Sequence, residues 1–427
     1  MSTNENQAKY DERVQRVMTA AANKEPDRVP LMPLMSSFAI SLYGYTNADV
    51  MYNAQIGVDC AIKFMGEYPM LDVASGFSTN PGKGPLYEMM KPKALAWPGA
   101  PQPFIQIPDN SSHQFIEFPV LLEEEMEFFE RDYTGWLFQY AMPKLTELME
   151  PFGKWPTHTM GVNYDISGLA AQMTMPEMKN VIETLWKIDE MNKDIAKITG
   201  AGQAKLREMG FPSFGSGLGG AVPFDQYSDF FRGTIDSMMD LYERRDLIER
   251  FCEERIERNI NAIRARAATL TEEDKATKWG HIILHKGMDK FLSDEQYDNL
   301  YWKHLQMMIN EINACGFKCY VYTEGPYTTR IRNLKEVDKN MVVYHFEEVD
   351  LEYAKKELGD MACIAGAFPA WLCEQGTKQQ VIDEVKRILD ICAPGGGYIF
   401  EGGYGFGPAP KENIDAMIET VLEYGKY

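Results

Sequence analysis

The sequence predicts an α/β fold, a TIM-type (β/α)8 barrel with a helical insertion after its second strand. Three observations predict it. Short apolar segments ending in Gly or polar residues alternate with longer amphipathic stretches, the mark of βα units and a parallel sheet. Eight such segments can be counted, the number that closes a barrel. Between the second and third, the rhythm breaks for over a hundred residues.

The expected strands cover residues 28–35, 60–67, 212–217, 280–285, 317–324, 341–346, 362–367 and 397–401. Residues 293–315 read as a helix, with Ser293 as N-cap, Asp294 and Glu295 in the first turn, and Tyr297, Leu300, Tyr301, His304, Leu305 and Met308 at helical spacing. Residues 377–392 read likewise, with Val381, Val385, Ile388 and Leu389 as the buried stripe. In the interruption, 71–210, a Gly, Pro and Ser-rich stretch at 72–108 precedes expected helices at 121–149 and 177–209. We expect one barrel domain over 1–427, with 71–210 as a helical or irregular insertion over its mouth.

Composition excludes some functions. With 43 Lys+Arg against 63 Asp+Glu, the net charge of −20 argues against a nucleic-acid or anionic-membrane partner. Seven scattered cysteines fit a reducing cytoplasm, and no signal-type or spanning apolar run occurs. The 22 Tyr, 22 Phe, 7 Trp and 26 Met call for a pocket as well as a core.

Barrel chemistry sits at the C-terminal strand ends. Those positions hold Glu67, His285 with Lys286, Tyr322 with Glu324, His345 with Glu347, and Glu401 with Tyr404; two of only 6 His fall among them. Glu324, His345 and His285 offer a carboxylate and two imidazoles, the ligand set of a catalytic Zn²⁺ with an open position, with non-haem Fe²⁺ also suited. Core packing of His345 and pairing of Glu324 with Arg330 or Arg332 is the competing reading, and Glu401 is a rival third ligand. Phe214, Tyr327 and Phe346, with Glu67 and Glu401, are expected to line a pocket for a flat substrate. Cys315-x-x-x-Cys319 lies at the wrong pole of the barrel for this chemistry, and the Gly215-x-Gly217-x-Gly219-Gly220 loop opens no helix for a phosphate.

The sequence also resembles the uroporphyrinogen decarboxylase superfamily. The likeness rests on Glu25-Pro-Asp-Arg-Val-Pro30, Phe231-Arg-Gly233 with Met239-Asp-Leu241, Asp350-x-x-x-Ala-Lys355, Ala365-Gly-Ala367 with Gly376-Thr377, and Gly402-Gly-Tyr-Gly405 with Pro408 and Glu412-Asn413. Where decarboxylases carry an arginine-rich segment, this chain has Leu31-Met-Pro-Leu-Met-Ser-Ser37; where coenzyme-M methyltransferases carry zinc thiolates, it has Tyr322-Thr-Glu324-Gly325 and Tyr404. It looks closest to the substrate-side methyltransferase component of corrinoid-dependent O-demethylases of anaerobic bacteria. In that group a Glu followed after twenty residues by His ligates zinc, which Glu324 and His345 match; the group's upstream Glu falls on Ile309.

The resemblance implies a cytoplasmic methyltransferase. It would cleave a small aromatic methyl ether and pass the methyl group to Co(I) of a corrinoid (cobalamin) partner protein, with zinc as Lewis acid. Tyr322 or Tyr404 would donate a proton or orient the ring. A methylamine or methanol-type donor, or a metal-free binding protein on the same barrel, are the alternatives. Oligomeric state stays open, pairing into a homodimer being common in the superfamily.

Overall fold

The computed structural model describes residues 3–76, 80–154, 167–215 and 217–427. Its centre is a parallel sheet of five strands in sequential order: Gly280–Leu284, Cys319–Pro326, Val342–Glu348, Cys363–Gly366 and Tyr398–Ile399. Backbone hydrogen bonds carry the sheet round the remaining staves. Met32 N bonds Phe400 O and Phe400 N bonds Pro30 O; Asp72 N bonds Leu31 O, Ala74 N bonds Pro212 O, Gly215 N bonds Thr277 O, and His281 N bonds Leu218 O. The ring therefore closes as a TIM barrel.

One expected strand is wrong. Residues 60–67 lie in the helix Ala54–Glu67, capped by the Asn53 side chain. The second stave is instead the segment around 71–76, so the expected insertion does not begin at 71 and its first residues belong to the barrel. It is fixed electrostatically: buried Asp72 accepts from Arg28 at 2.7 and 2.9 Å, from Arg16 at 2.7 Å and from Leu31 N at 2.8 Å. The Arg of the Glu25–Pro30 motif thus joins two staves.

The two helices read from periodicity form. Lys378–Cys392 starts at a Thr377 capping box. Ser293 caps the 294–314 stretch, which passes through a π-helical segment at Tyr297–Trp302. Pro176–Glu208 is one long helix. The expected helix at 121–149 is instead broken into Met126–Arg131 and a run from Tyr133 to Leu145 that passes through a π-helical segment at Leu137–Ala141, because the Asp132 side chain caps a new helix start through Gly135 N at 2.8 Å and Thr146 leaves the helix with extended backbone. Among the described residues no helix is long and apolar enough to cross a membrane.

Strand parity divides the side chains. Val342, Tyr344 and Phe346 face the surrounding helices in the main core; Val343 packs inside the barrel with Met32, Val73, Trp279, Cys363, Ala365 and Ile399. Val17, Ala20 and Ala21 plug the barrel floor. The inward positions above that floor form the site.

Candidate active site

In-register pairing stacks the inward residues: His281 opposite Tyr320, Tyr322 opposite His345, and His345 opposite Ala365. Above them lies a cavity of about 670 Å³. Its wall takes Phe214, Trp279, His281, Tyr320, Tyr322, Glu324 and Glu401 from the barrel, and His113 and Gln203 from the segment between the second and third staves.

At its depth is a carboxyl–imidazole pair. Glu401 and His345 are 2% and 0% exposed, with Glu401 Oε2 3.3 Å from His345 Nε2. The spacing suggests an ion pair, but burial acts against charge on both partners. It pushes the Glu401 carboxyl up to about 8, which the hydrogen bond from Tyr320 only partly offsets. The same burial brings His345 down to about 4, against the support of its bond to Gly402 O at 2.8 Å. Both are neutral at pH 7. With Nε2–H donated to Gly402 O, Nδ1 is the unprotonated nitrogen; it is buried and has no partner among the described residues. The Tyr322 ring stacks on His345 at 4.2 Å and 13°. Gly366 makes room for this imidazole: its φ is +80°, and a Cβ there would lie 2.8 Å from Nε2.

A second pair at the rim has the opposite charge. His285 Nδ1 meets Asp229 Oδ2 at 2.5 Å. That bond raises the imidazole to about 9 against the effect of burial, with Asp225 adding to the rise. Asp225, fully buried and pushed by burial up to about 6, accepts from His285 N, Lys286 N and Tyr301 Oη and so fixes this strand end. Lys286 Nζ lies 3.1 Å from Asp229 and 2.8 Å from Thr234 Oγ1, turned away from the cavity wall.

Glu324 stands between the two pairs, 3.9 Å from His285 Nε2 and half exposed. Burial raises its pKa, His285 opposes this, and Glu347 adds to it. Glu347 itself accepts from Gly325 N at 2.6 Å.

The residues expected at the site separate into groups. Glu324, Tyr322, Phe214 and Glu401 line the cavity, and His345 lies directly behind Tyr322. His285 pairs with Glu324, whereas His345 pairs with Glu401. Among the described residues no three His, Cys, Asp or Glu side chains are grouped to hold a metal ion. Tyr404 Oη is held by Trp371 N at 3.0 Å, away from the cavity wall. Three pocket assignments need correction. Glu67 is exposed at a helix end, because 60–67 is no strand. Phe346 has outward parity, and Tyr327 is buried in the main core. Sequence reasoning passed over Tyr320, His281, Trp279, His113 and Gln203. Parity with Tyr322 and His285 marks the first two; nothing in the sequence marks His113 and Gln203.

Residues 232–424 match the uroporphyrinogen decarboxylase (URO-D) family. The match covers somewhat under half of the chain and is a likeness of its C-terminal part to that family. The Phe231-Arg-Gly233 and Met239-Asp-Leu241 segments meet through Arg232 Nε to Asp240 at 2.6 Å, and Asn413 ties Cys373 O and Gly376 O. A solved structure, the methyltransferase from Methanosarcina mazei, superposes with a TM-score of 0.55 over 96% of this chain and 98% of that one. At 14% identity this is a likeness of fold. No curated protein sequence matches the chain.

Proposed function

We propose that the chain is a methyltransferase that cleaves an aromatic methyl ether in the barrel cavity and delivers the methyl group to Co(I) of a separate corrinoid protein. The observation that carries this reading is the buried Glu401, a carboxyl kept protonated at neutral pH on the wall of an aromatic cavity. An ether is a poor methyl donor because its leaving group is an aryloxide; an acid beside the oxygen removes that difficulty. A quaternary ammonium donor leaves as a neutral amine and needs no such acid.

The aromatic ring would lie among Phe214, Trp279 and Tyr322, with the ether oxygen on Glu401 and the methyl group toward the mouth. The methyl carbon is attacked from the mouth side by an electron pair of the reduced cobalt. The C–O pair leaves with oxygen, which takes the Glu401 proton and departs as the phenol. Tyr320 and His345 hold Glu401 in place. The walls exclude water, which would otherwise solvate the carboxyl and lower its pKa.

Zinc held by Glu324, His345 and His285 does not fit the donors as they stand. His285 is held by Asp229 with Lys286 as its neighbour, His345 belongs to the Glu401 pair, and among the described residues no three such side chains are grouped to hold an ion. No step is therefore routed through a metal.

The test is a donor screen with the full chain and a reduced corrinoid protein, reading cobalt alkylation in the visible spectrum. Methoxylated benzenes should alkylate the cobalt while methylamines and methanol should not. Alkylation by an amine alone would overturn the proposal.

A further inference from the structure

The charge of the cavity wall bears on which ethers it accepts. We infer that the site selects uncharged methoxyarenes and rejects those carrying a ring carboxylate, an inference that rests on the methyl-transfer reading.

The ionisable groups on the described wall are acids, phenols and imidazoles. Glu324 and Glu401 supply the carboxyls. Both wall imidazoles are neutral for physical reasons: burial lowers the pKa of His281 and of His113. His113 Nδ1 also faces Asn80 Nδ2 at 2.8 Å, so it accepts there. The nearby cations are committed elsewhere, His285 at the rim to Asp229 and Glu324, Lys286 to Asp229 and Thr234, and Arg28 and Arg16 to Asp72. The segments outside the described residues, 1–2, 77–79, 155–166 and 216, contain neither Lys nor Arg.

A benzoate entering this cavity would give up its hydration among aromatic faces. It would then meet Glu324, whose own ionisation is already opposed by burial and by Glu347. Burying a charge without a partner is strongly unfavourable. A neutral ring brings no charge to desolvate and packs on the apolar faces, with Phe214 and Trp279 4.7 Å apart at 55° as one wall. Discrimination of this kind comes from disfavouring the wrong ligand as much as from holding the right one.

The experiment uses the full chain in two arms, calorimetric binding and methyl transfer to free cob(I)alamin. The ligands are 1,2-dimethoxybenzene and 2-methoxyphenol against 3-methoxybenzoate and 4-hydroxy-3-methoxybenzoate. The neutral pair should bind and react, with the benzoates at least about 100-fold weaker in both arms. Benzoates equal to the neutral pair would overturn the inference and leave methyl transfer standing. Neutral rings that bind but never alkylate cobalt would overturn the methyl-transfer reading and leave the selectivity. Binding of neither pair would overturn the selectivity.

A second variant checks the cause. Gln203, exposed on the long helix Pro176–Glu208, touches the cavity edge. Gln203→Arg should raise relative benzoate binding about tenfold or more by supplying the missing counter-charge; an unchanged ratio in the folded variant would overturn the electrostatic cause.

Discussion

The acid role of Glu401 is tested by Glu401→Gln, which keeps shape and removes the proton. With a pKa of about 8, roughly 90% of the carboxyl is protonated at pH 7. The wild-type rate with an unactivated methoxybenzene should therefore be level at low pH and fall through pH 8. The variant should lose about 10²- to 10⁴-fold, the usual contribution of a positioned general acid. The loss should shrink as electron-withdrawing ring substituents make the phenol a better leaving group. Stability gives an independent readout. The folded carboxyl keeps its proton between its ordinary 4.5 and about 8, while the unfolded one releases it. Folding stability must therefore fall as pH rises across that window, with the loss complete above about 8. At about 1.4 kcal/mol per pH unit the gap is worth roughly 5 kcal/mol for this fully buried group. Urea midpoints of wild type should drop between pH 5 and 9, and those of Glu401→Gln should drop much less. A Gln variant with full rate on an unactivated ether, or a wild-type rate that climbs through pH 8, would refute the acid role.

Tyr320 donates to Glu401 Oε2 and favours its charged form; Tyr320→Phe should move the falling limb of the pH–rate profile to higher pH, and an unmoved limb would separate the two residues. Asp72→Ala leaves Arg16 and Arg28 without their shared buried partner and should cost about 3–5 kcal/mol in urea unfolding, so a change below 1 kcal/mol, on the order of experimental error, would show the pairing is not what joins these staves. If zinc is taken up through His285, its affinity by chelator competition should rise about tenfold per pH unit until the imidazole loses its proton near 9. A flat profile between pH 6 and 9 would exclude His285 as ligand.

The later strands were legible because each has a short apolar run and a clear stop, and their end residues Glu324, His345 and Glu401 follow from that reading. The second stave was not. Leu71-Asp-Val-Ala-Ser-Gly76 has a single β-branched residue and a charge in it, and what holds it is Asp72 with two arginines distant in sequence. The run at 60–67 is apolar enough to pass for a strand, but Ala54, Val58, Ala61, Phe64 and Met65 keep helical spacing behind an Asn53 cap. Taking the wrong period there moved Glu67 to a strand end. Tyr320 and His281 lie one layer below the strand ends, and the cavity reaches that deep. The parity of a strand carries that information: every second residue below a site residue faces the same interior.

Parity also brings two histidines to the same end of the barrel, and their surroundings make them opposites. His285 has an acid on its Nδ1 and another on its backbone, so its charge is held by partners that are themselves held by Lys286 and Tyr301. His345 has a carboxyl 3.3 Å away, yet stays neutral, because at full burial the cost of charging both outweighs their attraction. Residue type at a strand end therefore says little about function until burial is known. Two imidazoles and a carboxylate suggest a metal site by their chemistry. One charged imidazole at the rim and one neutral imidazole beside a protonated carboxyl grade the site from ionic at the edge to neutral in its depth. On the proposed methyl-transfer reading, a neutral ring reaches the Glu401 proton down that gradient without carrying charge into the barrel.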